Sequence, residues 1–216
     1  MLRQFNRIRC IFFDLDNTLI NRDYAFFLYL EKAFQMAGKS DIWMANCEEI
    51  MRIDNHGFLS RKAFDECLCA SYIDADSYRE FQGRYLVGDF VSLASHSTRS
   101  LLEKLKNNYT LGILSNGGTG NQTKKLAHSG LDAYFDESMC FISQACGVSK
   151  PDAGIFEIAQ MKSGCRAEEL LMIGDNPVND IRGAKALGWK TAWLSEQEDA
   201  LAEADIKIRK LEDLNI

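Results

Sequence analysis

Two aspartates, Asp14 and Asp16, stand one residue apart at the end of an otherwise apolar stretch, IRCIFF, and Thr18 lies two residues further on. In an extended chain, residues i and i+2 project to the same side, about 6–7 Å apart. Both carboxylates can therefore face one small site. Two close carboxylates repel, so they call for a cation or a proton between them. The plain structural alternative is a turn former beside a helix N-cap.

Three further stretches carry residues of the same kind. Ser115, Asn116 and Gly117 open the segment SNGG, where a hydroxyl meets glycine-rich backbone at a helix start, an arrangement suited to an anion. It is no serine-hydrolase elbow, because Ile113 occupies the first glycine position. Lys150 precedes Pro151, which favours an extended lysine and suits the first turn of the next helix. The segment GDNPVND places Asp175 at a strand exit and Asp180 where a carboxylate would open a helix.

These residues need a scaffold that brings strand ends together. Short apolar runs at 8–13, 109–114, 139–143, 169–173 and 190–194 read as buried strands with both faces covered. Helical patterns alternate with them at 98–107, 121–129, 152–162 and 180–187, the last closing at Gly188. That alternation predicts an α/β domain built as a doubly wound parallel sheet, Rossmann-like in architecture. Residues 20–91 break the rhythm with helix after helix and no convincing strand. The expected division is a core of residues 1–19 and 92–216 with an inserted helical domain at 20–91.

In an open α/β sheet, ligands bind at the carboxyl ends of the strands. There the polar clusters converge as three or four carboxylates, a lysine, a hydroxyl and backbone N–H groups. Hard oxygens around a small cation suggest Mg²⁺, which takes few carboxylates together with waters and a phosphate oxygen.

Composition narrows the partners. The 216 residues carry a formal net charge of −6, a poor balance for a nucleic-acid polymer. No apolar run reaches the length of a membrane span. The seven cysteines show no Cys-x-x-Cys pair and no zinc spacing, so reduced thiols in a cytoplasmic protein are expected.

Taken in order, the motifs resemble the haloacid dehalogenase (HAD) superfamily, and within it the phosphatases. DLDNT is similar to the first motif, Asp-x-Asp-x-Thr; Ser115 to the second; Lys150 to the third; GDNPVND to the fourth. The helical insert resembles a C1-type cap, and residues 115–159 resemble nucleotidases and small-metabolite phosphatases. The resemblance implies that Asp14 attacks phosphorus to form an aspartyl-phosphate, with Asp16 as acid and then base. It implies Mg²⁺ held by Asp14, Asp175 and the Asp16 backbone carbonyl. It assigns phosphate binding to Ser115, Asn116, Gly117 and Lys150, and supporting positions to Thr18, Asn179 and Asp180. A small phosphorylated metabolite would be the partner; oligomeric state is not legible.

Asp16 argues against dehalogenation, because a halide leaves without a proton. A phosphomutase or a catalytically silent phosphate-binding protein of the same fold are the other readings. Within the insert, Arg22, Tyr24, Phe27, Arg52, His56, Arg61 and Lys62 are candidate readers of the leaving group, the insert being expected to close over the site.

Overall fold

The computed structural model describes residues 5–196 and 203–214. It contains six parallel strands: β1 (Cys10–Phe13), β2 (Thr110–Ser115), β3 (Cys140–Ile142), β4 (Leu170–Gly174), β5 (Lys190–Leu194) and β6 (Ile206–Ile208). Their order is β3-β2-β1-β4-β5-β6. The sheet is therefore doubly wound, and the winding reverses where β1 meets β4, the place such a sheet opens a crevice. Register is fixed by Phe12 lying opposite Gly112 on one side and Met172 on the other. A β-carbon on Gly112 would stand 2.4 Å from the Phe12 ring, so glycine is what lets that ring lie over the sheet.

The chain divides into two compact units, Met1–Ile20 with Leu93–Ile216, and Asn21–Ser92. In the first, strand residues are buried on both faces, as parallel strands under helices require. Phe12, Phe156 and Trp189 form the centre of one layer, with ring centroids 5.3 Å (Phe12–Trp189) and 5.5 Å (Phe156–Trp189) apart. The helices of this unit are α5 (His96–Leu105), α6 (Thr119–Ser129), α7 (Ser143–Cys146), α8 (Ala153–Ser163) and α9 (Gly183–Ala186), numbered after four in the second unit.

That second unit holds α1 (Arg22–Met36), α2 (Ser40–Asp54), α3 (Arg61–Ser71) and α4 (Ala75–Arg84) around Phe26, Tyr29, Phe34, Trp43, Phe64 and Phe81. Arg22 forms a two-pronged pair with buried Asp54, whose carboxylate also accepts from the Gly57 N–H at 2.9 Å. Asn55, His56 and Gly57 follow at positive φ (48°, 57° and 79°).

Three local expectations change. Pro151 stands ahead of α8 instead of in its first turn, because Asp152 is the N-cap and accepts from the Gly154 N–H at 2.8 Å; the Lys150–Pro151 peptide is cis. The helix expected at 180–187 begins earlier, as a π-helical segment Pro177–Arg182 running into α9. Asn176 caps it, accepting from the Val178 and Asn179 N–H groups, so Asp180 is released from capping. Strand β6 went unread because three residues, IKI, leave no periodicity to detect.

Candidate active site

Asp14 extends β1 by one more ladder bond, its N–H meeting the Ile173 carbonyl at 2.9 Å. This places the carboxylate at the β1–β4 crevice. Its Oδ1 accepts from Lys150 Nζ at 2.6 Å, and the same ammonium donates to Asp180 Oδ1 at 2.6 Å. Lys150 and Asp180 side chains are 2% and 1% exposed, so this triad is almost dry. Asn116 fixes the lysine backbone from both sides: its Oδ1 accepts from the Lys150 N–H and its Nδ2 donates to the Lys150 carbonyl, each at 2.9 Å.

Asp180 is locked in turn. Its Oδ2 accepts from the Asn176 N–H at 3.0 Å, and it leans over Gly174 so closely that a β-carbon there would sit 2.2 Å from Oδ2. Gly174→Ala should therefore unseat Asp180 and cost about 1–3 kcal/mol of stability. Thermal unfolding would check the stability, and an unchanged melting temperature would show that Asp180 can yield. Asp175 is held through its backbone carbonyl by Trp193 Nε1 at 2.8 Å, and its Oδ1 receives the Thr18 hydroxyl at 3.4 Å.

One carboxylate oxygen from each of Asp14, Asp175 and Asp180 lies within 4.8 Å of the others. Three acidic groups thus face one ammonium. Burial pushes Asp14 up to about 7, with Asp180 and Asp16 adding to the rise and Lys150 opposing it. Burial, then Asp14 and Asp180, push Asp175 up to about 8. Burial alone would lower the Lys150 ammonium, but Asp14 and Asp180 outweigh it and hold it above the usual lysine range. An excess of hard anionic oxygens that resists ionisation suits a small divalent cation.

Asp16 lies under α6. Both of its oxygens accept from Lys125 Nζ at 2.6 Å, and Oδ2 also accepts from Gln122 Nε2 at 3.1 Å. Gln122 Nε2 donates to Ser115 Oγ at 2.6 Å as well. Ser115 is buried at the end of β2. Its neighbours have other partners: the Asn116 side chain is turned to Lys150, and the Gly117 N–H goes to Ser143 Oγ at 2.9 Å. The Asn179 N–H goes to Asn176 Oδ1 at 2.9 Å. Among the residues singled out in the helical unit, Tyr24, Arg52, His56, Arg61 and Lys62 are exposed. Arg22 and Arg61 lie over the Phe26 ring, and Phe27 packs on Trp43.

Gln122 and Lys125 escaped the sequence reading. A signal was present: α6 turns Gln122, Lys125, Leu126 and Ser129 inward, so two long polar residues occupy the stripe that apolar side chains normally fill.

Polar groups from the ends of β1, β2 and β4 thus meet Lys150 of the α7–α8 loop in the core unit, in the order of the four motifs; the lysine expected at a strand end lies past α7 instead. A family model, haloacid dehalogenase-like hydrolase, matches residues 11–194. The chain belongs to this family. Among its relatives, a phosphoserine phosphatase of Thermus thermophilus is 34% identical over 117 residues, covering 53% of this chain and 46% of that protein. A glyceraldehyde 3-phosphate phosphatase of Pyrococcus furiosus is 29% identical over 96% of this chain and 88% of its own. The pyrimidine 5′-nucleotidase YjjG of Escherichia coli is 36% identical over 48% of this chain and 47% of its own. The matches to the first and third of these thus span about half of their length. Of solved family structures, that of the HAD-hydrolase YfnB of Bacillus subtilis, bound to magnesium, superposes with a TM-score of 0.76 at 24% identity, covering 96% of this chain and 97% of that one. An L-2-haloacid dehalogenase of Xanthobacter autotrophicus superposes with a TM-score of 0.68 at 19% identity, over 95% and 96%. At these identities the two structures speak for the shared fold alone.

Proposed function

We propose that this family member is a Mg²⁺-dependent phosphomonoesterase that works through an aspartyl-phosphate on Asp14. The observation that carries the reading is the buried Asp14–Lys150–Asp180 triad beside Asp175, set at the β1–β4 crevice. Lys150 on Oδ1 orients the Asp14 carboxylate so that Oδ2 attacks phosphorus, and the ester oxygen leaves with the proton that Asp16 delivers. Asp16 then takes a proton from the water that displaces phosphate from Asp14. Ser115 accepts from Gln122, which leaves its own O–H for a phosphoryl oxygen.

Asp14, Asp175 and the Asp16 carbonyl are the groups that would hold Mg²⁺, which offsets repulsion between an anionic nucleophile and an anionic ester. Asp180, already bound to Lys150, serves the lysine. The presence of Asp16 favours ester cleavage over dehalogenation, since an alkoxide needs a proton and a halide does not. The substrate class is a small alkyl phosphate: a nucleoside 5′-monophosphate or a sugar or acid phosphate.

A phosphate-release screen over such esters, with Mg²⁺ and with chelator, tests the proposal. Release that requires the metal is expected; no release from any ester would refute it. The pKa shifts add a stability test. Asp14 and Asp175 are raised in the fold, so in metal-free protein their contribution is full below about pH 4 and is lost as pH rises through 7–8. The melting temperature in chelator should fall between pH 5 and pH 8, and Mg²⁺ should raise it more at pH 8 than at pH 5. An equal effect of Mg²⁺ at both pH values would count against these two ligands.

A further inference from the structure

Helix α6 carries two buried polar side chains whose bonds to Asp16 the proposed chemistry does not yet use. Gln122 is 1% and Lys125 3% exposed, three residues apart on the buried face of α6. Lysine is almost never this deeply buried unless it is paired, and Lys125 is paired with the Asp16 carboxylate through both oxygens at 2.6 Å. Gln122 adds a third bond to Asp16 and a short one to Ser115. Asp16 sits just past the exit of β1, in a short turn closed by Leu19 and Ile20 N–H bonds to the Leu15 carbonyl. The side-chain bonds to the Asp16 carboxylate come from α6 residues Gln122 and Lys125.

We propose that Gln122 and Lys125 are positioning residues that hold Asp16 in the one orientation from which it can pass a proton to the leaving oxygen and take one from water. This rests on the phosphomonoesterase reading. Swinging Asp16 away would leave a buried ammonium without its partner, a costly state, so the carboxylate acts from where α6 holds it. Lys125 and Gln122 share three bonds to its oxygens, which leaves the remaining lone-pair directions of a side chain that is 25% exposed for the proton it exchanges. Because Gln122 also holds Ser115, the same helix face sets the acid/base group relative to a phosphoryl-oxygen ligand.

The proposal makes the loss selective for leaving group. An alkyl ester needs its oxygen protonated as it departs, whereas p-nitrophenolate leaves without help. In Lys125→Met, kcat/KM for an alkyl phosphate accepted by the wild type should fall about 10- to 100-fold, part of the 10²- to 10⁴-fold that acid/base catalysis supplies. For p-nitrophenyl phosphate it should fall less than about 3-fold. Asp16→Asn should show the same selectivity, more strongly. Adding Lys125→Met to Asp16→Asn should cost nothing further, because a positioning residue has no role once its target is gone. Lys125→Gln serves as a second variant should the first unfold, and it should show a smaller loss of the same pattern.

Equal losses on both esters, or full additivity with Asp16→Asn, would mean that Lys125 only supports the fold and would overturn the proposal. Failure of the underlying reading looks different: the wild type would release no phosphate, or Asp16→Asn itself would show no dependence on leaving group.

Discussion

Replacing Asp14 with asparagine should abolish release of phosphate while leaving the fold intact. The amide is nearly isosteric and can still accept from Lys150 through its oxygen, but it cannot attack phosphorus. Loss of the nucleophile in hydrolases of other folds reaches the order of 10⁶-fold in kcat; a fall of at least about 10³-fold is expected here. The variant should not be less stable. Asp14 is one of three carboxylates facing a single ammonium, and burial has already raised it to about 7. Removing one of them relieves repulsion, so chelated Asp14→Asn should melt at or above the wild-type temperature at pH 8. Catalytic groups held against their own electrostatics trade stability for activity in this way. An inactive variant that also unfolds would leave the activity loss without meaning for the nucleophile; an active one would remove the assignment.

Lys150→Met should be the most damaging single change to the core unit. The lysine is 2% exposed and its partner Asp180 is 1% exposed. Breaking a buried pair from one side costs about 3–5 kcal/mol, because the other charge stays buried without compensation. Here two carboxylates lose their cation at once. They must then neutralise by taking up protons, so the variant should be closer to wild-type stability at pH 5 than at pH 8. Urea unfolding at the two pH values would show it. Activity should fall along with stability, since Lys150 is the group that orients Asp14. A loss of stability that is the same at both pH values would mean that the methionine is tolerated or the pocket has opened to water.

Most of the fold was legible because buried parallel strands are short apolar runs and their connections are amphipathic helices. Runs at 8–13, 109–114, 139–143, 169–173 and 190–194 correspond to β1 to β5 within a residue or two. Asp14, Ser115 and Asp175 at strand ends, and Lys150 in the α7–α8 loop, could be read for a physical reason: each sets a polar or charged side chain where an apolar or turn pattern does not need one. What could not be read is longer in range. The choice of Asn176 over Asp180 as the cap depends on Asp180 being claimed by Lys150, thirty residues away. The use of Asn116 to hold the Lys150 backbone is likewise a contact between two loops that share no local pattern. Lys125 was not singled out, since helical spacing gives the face of a side chain but not the carboxylate, 109 positions distant, that meets it.

The central claim is that Asp14 carries the phosphoryl group during turnover. Asp16→Asn, which slows hydrolysis of the acyl phosphate, should be mixed with an active aryl phosphate and Mg²⁺, quenched in acid, and its peptides weighed by mass spectrometry. A phosphate adduct on the peptide containing Asp14, absent from Asp14→Asn treated alike, is the expected result. An adduct on another residue, or none while phosphate is still released, would contradict it.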